Sequence, residues 1–467
     1  MADFAFLSVA ELGRLLRSKQ TSATELAGYF LDRLERLGPR YNAVVAVTRE
    51  RALAEAAQAD REIKAGKLRG PLHGIPYGVK DLVATKDYPT TWGAEPYRQQ
   101  KLGYDATVVE RLGAAGAVLV AKLAMVELAG GMGYNQANAS FTGPGKTPWN
   151  PDYWSGGSSS GPGAAVAAGL VPFAIGSETS GSILTPAAYC GVTGLRPTYG
   201  LVSRHGAMAL AWTMDKLGPL GRTAGDCAMV LAAIAGKDPK DPSAVDRHFA
   251  VPPEPPASRR FRIGVPKGAD KDIQPEVAAN FRASLKVLEN RLDVVEDVEL
   301  PDLPYGAVGG MIIGAEGASA FDDLLKDGRL SQLTAPEDRT GGYPALAVSA
   351  PDYLRALRVR RPMQRALDDF LKKFDALAVP TRTTVASPLD KPFRDGWPGI
   401  TGGANVIGPT NVVGVPGISV PNGFGLQGLP TGLSFAARAF DEAKLVTLAR
   451  LYQDRSDWHK RQPPMAS

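Results

Sequence analysis

Serines held in glycine-rich turns become nucleophiles when a base stands within reach, and this chain concentrates them in one stretch. From Gly156 to Gly194 it reads GGSSSGPGAAVAAGLVPFAIGSETSGSILTPAAYCGVTG, with Glu178 as its only charge. Small residues let one backbone approach another backbone or a ligand, and glycines reach dihedrals that strain other residues. Two serine turns, Gly157-Ser158-Ser159 and Ser180-Gly181-Ser182, flank the apolar run Ala164 to Ile175. The alanine-rich first half of that run suits a buried helix, and the second half a short strand. The pattern points to a serine nucleophile built on backbone turns.

Such a serine needs a base. The four histidines, His73, His205, His248 and His459, fall in poor order and context for a Ser-His-Asp triad. No Gly-x-Ser-x-Gly elbow occurs in a strand-turn-helix setting. No Gly-Lys-Ser/Thr follows the glycines, which excludes a P-loop. Serine activated by lysine remains. Gly70 to Val83 supplies a candidate, where prolines and glycines lead into a short apolar strand that delivers Lys80 near its end.

The flanking elements read as helices and strands in alternation. Ser8-Val-Ala-Glu11 and Ser22-Ala-Thr-Glu25 both fit the reciprocal capping pattern, followed by the stripes Leu12, Leu15, Leu16 and Leu26, Phe30, Arg33, Leu34, Leu37. Arg49 to Lys64 reads as a third helix. Asp105 to Lys122 reads as a helix, a glycine turn and a strand over Ala117 to Val120, an αβ unit that implies a helix-covered sheet. The loop Gly130-Gly131-Met132-Gly133-Tyr134-Asn135-Gln136 is either a wall of the substrate pocket or a plain connector. Further on, Pro252 to Pro256 reads as an exposed connection, Phe261 to Val265 as a strand, and Glu276–Leu292 and Tyr353–Phe374 as helices. Pro304 to Gly342 reads as irregular, and the arginines of Arg355 to Arg365 as a solvated helix face.

Composition narrows the classes. Of 467 residues, 44% are apolar and 22% charged, ordinary for a globular protein with a sizeable core. The net charge of +5 comes without a basic block or aromatic interleaving, so it does not argue for nucleic acid. Cys190 and Cys227 give neither a disulfide framework nor a metal-ligand spacing. No stretch reads as a signal peptide or a membrane span, and a cytoplasmic location is expected.

Several long segments carry a family resemblance. They are LHGIPYGVKDL around Lys80, WSGGSSSG ending at Gly161, and AIGSETSGSILTPAAYCGVTGLRPTYG from Ala174. DKLGPLGRTAGD from Asp215, GPTNVVGVPGISVPNGF from Gly408 and GLPTGLSF from Gly428 follow in order. Together they resemble the amidase signature family of serine hydrolases over nearly the whole chain. The resemblance implies an α/β fold with a central mixed β-sheet covered on both faces by α-helices. It implies a single domain over 1–467, with a signature core at about 65–235 and a peripheral, substrate-access region at about 300–405. Carried over by position, it makes Ser182 the nucleophile, Ser158 a bridging serine on a cis peptide after Gly157, and Lys80 the base. The backbone N–H groups of Thr179, Ser180, Gly181 and Ser182 become the oxyanion donors, while the position and composition of the 130–136 loop make Gly131, Met132, Gly133 and Tyr134 the candidate substrate contacts. No metal and no cofactor are expected.

The turn departs from the family pattern. Glu178 stands where an aspartate is usual, Ser180 and Ser160 where glycines are, and Leu184 where an arginine is. The acid–arginine pair that braces the turn is therefore expected to be missing, with Glu178 paired elsewhere or near solvent. The activity implied is cleavage of carboxamide C–N bonds in small aliphatic or aryl amides, extending to esters and carbamates. Apolar loops around Met132, Trp212 and Ile312 lean towards an uncharged substrate. The alternatives are a glutaminase subunit of a tRNA-dependent amidotransferase, which needs a partner subunit, and a non-catalytic scaffold with this fold. The expected partner is the small-molecule substrate alone, without nucleic acid or membrane, in a monomer or homodimer.

Overall fold

The computed structural model describes residues 3–403 and 406–464. An eleven-stranded sheet runs through it in the order β1-β3-β2-β4-β6-β5-β10-β11-β9-β7-β8. The strands are β1 (Val44–Val47), β2 (Pro76–Lys80), β3 (Val118–Leu123), β4 (Phe173–Glu178), β5 (Thr193–Arg196) and β6 (Lys216–Gly221), followed by β7 (Phe261–Pro266), β8 (Leu292–Val298), β9 (Ala376–Pro380), β10 (Gly417–Phe424) and β11 (Pro430–Ala436). β2 pairs parallel with β3 and β4, and β7 with β8 and β9, while the remaining ladders are antiparallel. The sheet is thus mixed, as expected for an α/β fold. Every residue of β2, β3, β4, β5, β6, β9 and β11 is buried, so helices cover both faces at the centre. At the edges β1 is half-buried, and β8 is buried only at its ends, Leu292 and Val298, with its middle turned largely to solvent.

The helices form where cap and stripe agree. Val9–Arg17 starts on a complete Ser8–Glu11 capping box. At Ala23–Leu37 the box is one-sided: Ser22 caps Glu25, but the Glu25 carboxylate accepts the Thr21 hydroxyl at 2.8 Å. Asp60 takes the Ala23 N–H of that first turn instead. Arg49–Lys64 is helical over the expected span. Three readings are corrected. The helix expected to reach Leu292 ends at Val287, and Leu292 opens β8. Tyr305–Ala320 is a continuous helix, not irregular chain, despite its glycines. Their missing side chains let it approach its neighbours; a Cβ on Gly309 would stand 2.7 Å from Val412 Cγ2. In Ala350–Leu371, Arg355, Arg358, Arg361 and Arg365 do face solvent, but Arg360 is buried and donates to the carbonyls of Val412 and Thr213. Among the described residues no helix is long and apolar enough to cross a membrane.

Candidate active site

β2 carries Lys80 into the interior, where its side chain has no solvent exposure. Its ammonium nitrogen lies 2.7 Å from Ser158 Oγ and 2.9 Å from Ser177 Oγ, and donates to both. Ser177 belongs to β4, the strand paired with β2, so the sheet itself sets that contact. Burial pulls the Lys80 pKa down to about 7, against the opposing pull of Asp215 and Glu178. A neutral amine there has two N–H donors and one lone pair. Donation to Ser177 leaves the lone pair free for the Ser158 proton. The next residue, Asp81, is anchored to Lys122 at 3.2 Å, and both are fully buried.

Ser158 precedes the helix Ser160–Ala167, and its peptide bond with Gly157 is cis, as the resemblance implied. The two serine turns meet backbone to backbone. A Cβ on Gly156 would stand 2.8 Å from the Cα of Pro186 in the helix Leu184–Cys190, and Gly156 also adopts φ +81. Only glycine fits there. The Ser159 N–H donates to the Ser182 carbonyl at 3.3 Å, which ties the turns together. Lys80 and Ser158 are thus joined directly, while Ser182 joins them through its backbone. Its hydroxyl makes no hydrogen bond to Ser158 among the described residues. Such contacts commonly tighten only when substrate arrives. Ser182 is 9% exposed, at the edge of the buried centre. No acceptor among the described residues takes the N–H groups of Ser180, Gly181 or Ser182, which leaves these donors free for a ligand oxygen.

Glu178 corrects an expectation. It is fully buried, not near solvent, and it does have an arginine. Arg196 at the end of β5 donates to Glu178 Oε1 at 2.8 Å, with both side chains fully buried. Asn411 donates to the same oxygen at 2.7 Å. The other oxygen accepts the N–H groups of Ile183 at 2.8 Å and Leu184 at 3.0 Å, directly after the serine turn. Burial alone would raise this carboxyl's pKa; Arg196 and Asn411 overcome it and hold the pKa below the ordinary value. The brace is therefore present, supplied from another strand, and Leu184 is free to pack in the core.

A cavity of about 420 Å³ opens beside these turns, with Gly157, Ser180 and Thr185 in its lining. Tyr134, Trp154, Tyr189, Phe393, Trp397 and Arg382 wall it. Of the four loop residues expected to touch substrate, only Tyr134 lines it. Met132 is buried beneath Gly341 and Gly342, where a Cβ on Gly341 would overlap the Met132 carbonyl. Gly131 packs near Leu210 and Phe321, and Gly133 is exposed. Ile312 is fully buried in the core. A smaller cavity of about 170 Å³ lies on the Ser177 side and is lined by Thr179, His205, Met208, Trp212 and Asp215. There Asp215 accepts the Thr179 hydroxyl at 2.6 Å. Cys190 and Cys227 are buried thiols, both pushed up by burial. Among the described residues no three metal-ligating side chains gather. Sequence reasoning missed Ser177, Arg196, Asn411 and Arg382. Ser177 alone had a local signal, a polar residue inside the run that leads to the serine turn.

Comparison with known proteins bears on the family and the fold. A family model described as Amidase matches residues 25–446. A Glutamyl-tRNA(Gln) amidotransferase subunit from Thermosynechococcus vestitus is 37% identical, over 98% of this chain and 99% of the relative. Among solved structures, the native peptide amidase of Stenotrophomonas maltophilia superposes with a TM-score of 0.85 at 31% identity, covering 99% of each chain. The corresponding Glutamyl-tRNA(Gln) amidotransferase subunit from Thermotoga maritima superposes with a TM-score of 0.78 at 28% identity, covering 98% of this chain and 96% of that one. Shared architecture and sequence over nearly the full length lead to one conclusion: the chain belongs to the amidase signature family.

Proposed function

We propose that the chain cleaves the C–N bond of a carboxamide through an acyl-enzyme on Ser182. Neutral Lys80 accepts the proton of Ser158 as Ser158 takes that of Ser182, and Ser182 Oγ attacks the carbonyl carbon. The oxyanion of the tetrahedral intermediate lies against the N–H groups of Thr179, Ser180, Gly181 and Ser182, each strong donor being worth about 3 kcal/mol. Collapse breaks the C–N bond, and the proton returns from Lys80 through Ser158 to the departing amine. Water then enters, gives its proton to the same relay and releases the acid. The observation that carries this reading is Lys80, buried, with its pKa drawn to about 7, 2.7 Å from Ser158. A lysine at its ordinary pKa would be protonated and useless as a base.

For the amide itself, the relatives named as Glutamyl-tRNA(Gln) amidotransferase subunits support glutamine, with ammonia passed to a partner subunit. In that reading the chain works in a hetero-oligomer and not as the monomer or homodimer expected from its sequence. A second reading, hydrolysis by the chain alone, is supported by the closer superposition on the peptide amidase, 0.85 against 0.78. Ammonia release from glutamine, glutarate monoamide and valeramide by the purified chain, beside Ser182→Ala and Lys80→Ala, tests both. Turnover lost in both variants supports the acyl-enzyme. Turnover that survives Ser182→Ala refutes it. Glutamine activity that rises only when co-expressed subunits co-purify supports the amidotransferase reading. Full activity of the chain alone favours the second.

A further inference from the structure

Two arginines that the mechanism does not use line the aromatic cavity: Arg394, which is exposed and pairs with Asp395 at 3.5 Å, and Arg382, which pairs with no carboxylate among the described residues. Arg382 follows β9 and Thr381, and Thr381 is pinned by hydrogen bonds of 2.8 Å to Ser419 and 2.8 Å to Ser434. The backbone beneath the guanidinium is therefore fixed to the sheet. The side chain leans over Tyr189, with Cζ 6.0 Å from the ring centroid, and its Nε is buried without a partner. Among the described residues no carboxylate forms an ion pair with it. The charged form is favoured chiefly by the neighbouring Tyr189 phenol, against the cost of burial. Burial raises the Tyr134 phenol well above its ordinary range, so it stays neutral and offers no counter-charge. A half-buried guanidinium whose Nε has neither solvent nor a partner is costly without an anion, and a guanidinium matches a carboxylate with paired hydrogen bonds.

The same cavity is lined by Gly157, Ser180 and Thr185, on or beside the turns that carry Ser158 and Ser182. One small molecule can therefore reach Arg382 with one end and the serine turn with the other. Between them stand flat apolar walls; Phe393 stacks on Trp154 at 4.3 Å, and the Trp397 indole donates to the Val385 and Ala386 carbonyls. These walls suit a methylene or aryl spacer. No acidic residue lines the cavity among the described residues, so an α-ammonium group finds no counter-charge.

We infer that Arg382 binds a carboxylate on the acyl half of the substrate, and that the enzyme selects monoamides of dicarboxylic acids over neutral amides. The inference rests on the Ser182 acyl-enzyme reading and replaces the lean towards an uncharged substrate. An α-amino group adds nothing, so glutarate monoamide is turned over at least as well as glutamine.

The test is the ratio of kcat/KM for glutarate monoamide to that for valeramide, read within each of wild type, Arg382→Met and Arg382→Lys. A ratio taken within one preparation cancels any loss of folded enzyme. The expected ratio is about 100 in wild type, near one in Arg382→Met and intermediate in Arg382→Lys, from loss of a charge-assisted contact. A wild-type ratio near one, or a ratio unchanged in Arg382→Met, overturns the inference. Calorimetric binding of glutarate to Ser182→Ala protein tests it without turnover. Binding that weakens about 100-fold when Arg382→Met is added supports it, and no glutarate binding overturns it. Glutarate binding accompanied by turnover that survives Ser182→Ala would refute the acyl-enzyme and leave the Arg382 contact standing.

Discussion

Replacing Arg196 with methionine would leave Glu178 buried without its ion-pair partner, one turn from the nucleophile, with only the more distant Lys216 across the β4–β6 ladder as a cation. Both side chains are fully buried and 2.8 Å apart, so solvent does not screen the loss. Removing one member of such a pair costs about 3–5 kcal/mol. Glu178 keeps Asn411 and the N–H groups of Ile183 and Leu184, which places the cost near the lower end. At about 2.1 cal/mol/K per residue, 467 residues give an unfolding entropy of roughly 1 kcal/mol/K, so the melting temperature falls by about 3 °C. The pH dependence has a definite sign. In the wild type the Glu178 pKa is held low, which stabilises the fold above the ordinary carboxylate pKa and is lost as pH falls through the lowered value. In Arg196→Met burial dominates and the pKa rises, so the deficit is largest near pH 7.5 and shrinks towards pH 5. Denaturant melts at the two pH values, with the rate of Ser182 phosphonylation as the functional readout, test this. The double variant Glu178→Gln/Arg196→Met should cost less than the sum of the singles. A deficit below about 1 kcal/mol at both pH values, with unchanged Ser182 reactivity, would refute the brace.

Lys80→Met should stabilise the protein while abolishing turnover. The folded pKa of about 7 lies below the ordinary 10.5, so the unfolded chain binds the extra proton between them and wild-type stability rises with pH across that window. The penalty removed is greatest at and below pH 7, where the denaturation midpoint of Lys80→Met should exceed that of wild type. Ser177→Ala removes an acceptor that favours charged Lys80; the acidic limb of kcat/KM should move to lower pH and kcat fall about 10-fold. Asp338 is fully buried beside Glu127, which accepts the N–H groups of Thr334 at 2.8 Å and Ala335 at 2.9 Å. Burial and Glu127 push the Asp338 carboxyl well up, so its stabilising contribution is complete at acid pH and lost as pH rises through the raised value. Asp338→Asn should match wild type only near pH 4, and its advantage in thermal melts should grow up to about pH 8 and then level off.

Local signals made part of this architecture legible. Glycine and proline before an apolar run announced β2 and put Lys80 near its end, and capping residues and alanines announced Arg49–Lys64. Serines among glycines announced two backbone turns. What stayed hidden depends on strand order. Arg196 reaches Glu178 because β4 and β5 both pair with β6, a neighbourhood that spacing along the chain does not reveal. The glycines of Tyr305–Ala320 lower helix propensity, and packing against Val412 and Leu210 outweighs it. Arg382 had no local signal, since an arginine after a strand is usually solvated. Only the cavity around it gives it a task.

The central claim, that Lys80 activates Ser182 through Ser158, is tested most directly by the pH dependence of Ser182 phosphonylation. Wild type and Lys80→Ala would be treated with a fluorophosphonate and the adduct mapped by mass spectrometry. The expected result is a single adduct on Ser182, a rate rising through one ionisation near pH 7, and a loss of about 100-fold or more in Lys80→Ala. An adduct on another residue, or the same rate and pH profile in Lys80→Ala, would contradict it.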